Sequence, residues 1–72
     1  MSALIRKELL TTLKQRYQYE IQHGKATMLI YLNNPVGIGE HPQHLEEMDT
    51  LLEKMAGAED KLTILDKFFP EE

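Results

Sequence analysis

Seventy-two residues, no cysteine and a net charge of −4 make one small domain at most, and exclude a disulfide framework or a thiolate metal site as its brace. A chain this short buries only about 60% of its unfolded surface, so its core is marginal, and a partner chain is the expected source of further buried area. No run of about 18 apolar residues spans a membrane, and the opening Met1-Ser2-Ala3-Leu4-Ile5-Arg6-Lys7-Glu8 lacks the apolar core of a secretory signal, which points to a cytoplasmic protein.

The charge is divided along the chain. Residues 1–25 set Arg6, Lys7, Lys14, Arg16 and Lys25 against Glu8 and Glu20, leaving +3, whereas residues 26–72 set three lysines against ten acids, leaving −7. A basic helix lying beside an acidic one explains this better than nucleic-acid binding through Arg6, Lys7, Lys14 and Arg16. No basic run exceeds two residues, and the net charge repels phosphate.

Residues from about 2 to 33 read as the first helix, with Ser2 as its N-cap. Leu10, Leu13, Tyr17, Ile21, Gly24, Met28 and Tyr31 recur at spacings of three and four, a stripe that packs on a neighbouring helix. Gly24 costs about 1 kcal/mol in a helix interior relative to alanine. It either admits a facing side chain closely or is a tolerated surface glycine. Tyr19, Ala26, Leu29 and Ile30 add apolar side chains off the stripe, and from Met28 to Leu32 the helix is apolar all round. A helix with one neighbour needs one apolar side, so these four residues read as an interface to a second chain. A strand at Met28–Leu32 is rejected because no second strand is present to pair with it.

Asn33 and Asn34 end that helix, Pro35 cannot continue it, and residues 34–41 form the loop. Gly37 and Gly39 suit a tight turn with positive φ, with Val36 and Ile38 folding back on the core. The alternative is an anion site, in which Pro35, Gly37, Ile38, Gly39 and His41 present backbone N–H groups to a phosphate or nucleotide; the Lys-Ser or Lys-Thr of a P-loop is missing. His41, His44 and Glu40 make a thin metal-like cluster, short of a held set of three or four ligands. No metal and no cofactor is therefore expected.

The second helix is expected over about residues 42–69, opening on Pro42 with Glu46, Glu47 and Asp49 near its positive end. Its seam reads Leu45, Met48, Leu52, Met55, Leu62 and Leu65, widened by Leu51, Ala56, Ala58 and Phe69, with Gly57 on the polar side. With the turn centred on Ile38, Tyr31 meets Leu45, Met28 meets Met48, Gly24 meets Leu52 and Ile21 meets Met55. Tyr17 falls opposite Glu59, a candidate buried polar pair that would fix the register. The expected fold is all-α: one domain over residues 1–72, a hairpin of two long antiparallel helices that dimerises into a four-helix bundle.

Residues that could act as a catalytic set are missing: there is no Ser–His–Asp spacing, no cysteine and no enclosed pair of carboxylates. The reading is a small non-enzymatic interaction or oligomerisation module, most simply a homodimer. The alternatives are the anion binder above and, less favoured, a nucleic-acid binder.

The loop Asn34-Pro35-Val36-Gly37-Ile38-Gly39-Glu40-His41-Pro42, followed by an acidic helix, resembles a group of small uncharacterised proteins of tailed phages, notably those of marine cyanobacteria. The resemblance covers roughly residues 25–65 and is specific mainly in the loop; from Gly57 onward it is one of general character. It implies a viral origin, a place in the virion or in host takeover, a host or virion protein as partner, and the host cytoplasm as location. That group has no assigned activity, so no functional residue is carried over.

Overall fold

The computed structural model of the chain describes residues 2–33 and 43–70. Two helices, α1 (Ala3–Asn33) and α2 (Gln43–Phe68), pack antiparallel as a helical hairpin 54 Å long and 16 by 15 Å across. Among the described residues there is no strand, and Met28–Leu32 is helical.

Local chemistry sets the helix ends. The Ile5 N–H donates to Ser2 Oγ at 3.2 Å and the Arg6 N–H to the Ser2 carbonyl at 3.1 Å. Ser2 is thus the N-cap, satisfying a donor that has no partner within the helix. At the other end the Asn33 side-chain amide donates to the Leu29 carbonyl at 2.8 Å. The Phe69 N–H closes α2 on the Leu65 carbonyl at 2.9 Å.

Between the helices the α1 stripe is as the spacing predicts: Leu10, Leu13, Tyr17, Ile21, Met28 and Tyr31 are half-buried, and Gly24 is buried. The α2 seam differs. It consists of His44, Met48, Leu51, Met55, Ala58, Leu62 and Leu65, an unbroken alternation of four and three that keeps one side toward a neighbour. Leu45, expected in the seam, is 67% exposed, and Leu52 is exposed as well. His44 and Leu51, each one residue earlier, take their places.

The register shifts with the seam. Gly24 lies against Met55 rather than Leu52, and Tyr17 against Lys61 rather than Glu59, a slide of about 3–4.5 Å along the axis. The cause is visible at Gly24. A Cβ there would fall on the Met55 side chain, 2.7 Å from its Sδ, so the one bare spot on the α1 stripe receives the flexible Met55. Close approach, not tolerance, is the reason for this glycine.

Candidate functional site

Polar contacts bind the hairpin at both ends. Near the loop end Tyr31 Oη donates to Glu47 Oε2, and the Tyr31 ring packs on His44 with centroids 5.3 Å apart. The hydrogen bond to Glu47 raises the Tyr31 pKa, helped by burial and by the carboxylate charge, because each disfavours the phenolate. Toward the free end Lys14 Nζ lies 3.7 Å from Asp66 Oδ1. Lys61 Nζ sits 5.2 Å from the centroid of the Tyr17 ring, within the range of a cation–π contact.

The expected buried pair of Tyr17 and Glu59 is not formed. Glu59 is exposed and its backbone carbonyl accepts from Thr63 Oγ1 at 3.1 Å, while Tyr17 is half-buried under Lys61. The register shift places Glu59 on the flank of α2, where its carboxylate keeps its hydration. The cross-helix hydrogen bond is made instead by Tyr31 and Glu47, two residues the sequence does not single out together. From sequence Glu47 reads only as a favourable charge near the start of α2.

Two clefts open along one side of the hairpin. The larger, about 700 Å³, has a floor of Gly24, Gly57 and Ala58 and walls that include Tyr19, His23 and Lys54. The smaller, about 250 Å³, is bounded by Tyr17, Ile64 and Leu65, and Lys61 borders both. The floor is low at Gly57, where a built Cβ finds no atom within 4 Å. Gly57, read from sequence as lying on the polar side, thus lines the larger cleft.

The four residues read as an interface are all exposed: Tyr19 at 65%, Ile30 at 66%, and Ala26 and Leu29 likewise open. Tyr19 forms a cleft wall, its ring 5.6 Å from that of His23. At 100° per residue Tyr19, Ala26 and Ile30 share one side of α1, while Leu29 turns toward the opposite flank. The same side continues through exposed Ile5 and Leu9 on α1 and exposed Ile64 and Phe68 on α2. The signal for these was a seven-residue step: Leu9 lies two heptads before His23, Ile64 one after Gly57, and Phe68 one after Lys61.

Pro35, Gly37, Ile38, Gly39 and His41 lie outside the described residues, so the anion-site reading and the phage resemblance rest on sequence. Among the described residues no group of three or more His, Asp or Glu side chains is placed to hold a metal ion, and no helix is long and apolar enough to cross a membrane. No protein-family model, curated protein or solved structure matches this chain.

Proposed function

We propose that the protein is a non-enzymatic self-association module whose two-helix hairpin completes its core by pairing with a second copy. The observation that carries this is the imbalance between core and surface. Ala58 at 1% and Leu65 at 9% exposure are the only buried apolar side chains among the described residues, whereas twelve large apolar side chains are exposed. The accessible surface is 5808 Å² for 8.4 kDa, against about 4,600 Å² for a typical folded monomer of this mass. The excess, about 1,200 Å², is what each partner contributes to an obligate dimer interface. Shape agrees: the radius of gyration is 16.4 Å, where about 11 Å is ordinary for this length.

Burying an isoleucine side chain is worth roughly 1.5–3 kcal/mol, so a few such residues decide the oligomeric state of a marginal domain. Sedimentation at micromolar concentration tests the reading. The wild type is expected at dimer mass, and Ile30→Glu at monomer mass or unfolded. A wild-type protein that stays helical and monomeric throughout would refute self-association.

A further inference from the structure

Resting on that self-association, we infer that the second copy docks on the cleft side of the hairpin, about a two-fold axis parallel to the helices, so that Tyr19 packs over the partner's Gly57. Three observations converge on this side. Both clefts open there and share Lys61. Large exposed apolar residues run along its full length, from Ile5 and Phe68 at the free end through Ile64 and Tyr19 to Ile30. The opposite flank carries Leu29, Leu32, Leu45 and Leu52 toward the loop end and Leu4 at the free end, but its apolar run is broken between them by the Lys14–Asp66 ion pair and exposed Glu59. The charges on the cleft side are of both signs: Arg16 lies 3.5 Å from Glu20, and Lys54 and Glu53 both border the larger cleft. Their stems can cover apolar surface while the charged heads stay in water.

Charge selects the axis. Helix α1 carries five cations and two acids, and α2 three lysines and seven acids. A two-fold parallel to the helices sets each α1 beside the partner's α2, opposite in sign and antiparallel. A perpendicular two-fold in the plane of the hairpin would instead set α1 on α1 and acidic α2 on acidic α2. Under the parallel axis every residue keeps its level along the bundle. Tyr17 faces Lys61 and Gly24 faces Met55, so Gly57 sits level with about residue 22, roughly 4.5 Å from the level of Tyr19 and within one helical turn. A large exposed ring then meets a floor of two glycines and an alanine. An isologous interface requires this fit of wall into floor to occur twice.

The chain has no cysteine, which permits a clean cross-linking test. Two single-cysteine proteins, Tyr19→Cys and Gly57→Cys, are mixed and oxidised, so that any disulfide between positions 19 and 57 joins two chains. The expected result is a mixed disulfide in clear excess over that from Tyr19→Cys with Ala56→Cys, whose cysteine lies about 100° further round α2. Equal yields from both mixtures would overturn the docking geometry. As a second measurement, Gly57→Leu fills the cleft where the hairpin itself leaves room. It should raise the dimer dissociation constant at least tenfold, whereas Ala56→Leu leaves it unchanged. A Gly57→Leu dimer as tight as wild type would again overturn the proposal. A monomeric wild type defeats self-association itself, while a dimer that fails the 19–57 cross-link defeats only this face.

Discussion

In the interior of α1, Gly24 gives up about 1 kcal/mol of helix propensity against alanine, and Met55 occupies the space where its Cβ would stand. The nearest atom is Met55 Cγ, bonded directly to Cβ, so relief needs a rotation about χ1 or a parting of the helices. Gly24→Ala is therefore expected to destabilise by about 1–2 kcal/mol despite its better propensity. In a Met55→Ala background the same substitution should be neutral or stabilising. A double-mutant cycle by urea denaturation checks this, and additivity of the two changes would contradict the close packing. Tyr31 provides a pH-dependent counterpart. Its pKa is raised in the folded protein, chiefly by its hydrogen bond to Glu47. The proton is then held more tightly in the folded than in the unfolded chain. The associated stability is complete below the unfolded tyrosine value of about 10 and is lost as pH rises through the folded value. Tyr31→Phe should flatten the alkaline fall in stability relative to wild type, as followed by the urea midpoint across pH. Identical alkaline slopes in the two proteins would contradict it.

For the helices as elements, the decisive question is which leucines α2 turns inward. Leu51 is half-buried in the seam and Leu45 stands in solvent, so Leu51→Ala should cost about 2 kcal/mol and Leu45→Ala under about 0.5 kcal/mol. Comparable losses would restore the seam expected from sequence. That seam was ambiguous because Leu51 and Leu52 are adjacent, and hydrophobicity alone cannot choose between positions 100° apart. His44 reads from sequence only as part of a metal-like cluster with His41 and Glu40, whereas its ring packs at a tilt against Tyr31 and fills the seam position. The packed stripe of α1 was legible, since Leu10, Leu13, Tyr17, Ile21, Gly24, Met28 and Tyr31 keep an unbroken spacing of three and four. The exposure of Tyr19 and Ile30 follows from the same pattern, since both are apolar residues off the packed stripe. The cleft was not legible. It arises where Gly57 leaves out a side chain beside Gly24 of the other helix, and that juxtaposition depends on a register in which Met55 packs on Gly24.

At the scale of the molecule, the chain is a rod 54 Å long with two buried apolar side chains among its described residues. Most helical stability comes from packing an apolar face rather than from propensity, and here much of the apolar surface faces outward. Association would cover it, and folding and assembly would then be one transition. In such a transition each tenfold rise in protein concentration adds about 1.4 kcal/mol of apparent stability. The measurement that bears most directly on this is urea unfolding, followed by helical circular dichroism, from sub-micromolar to hundred-micromolar chain. The midpoint should climb steadily, by up to about 1 M urea per tenfold step. A midpoint fixed at every concentration, with the helices fully formed, would contradict the account.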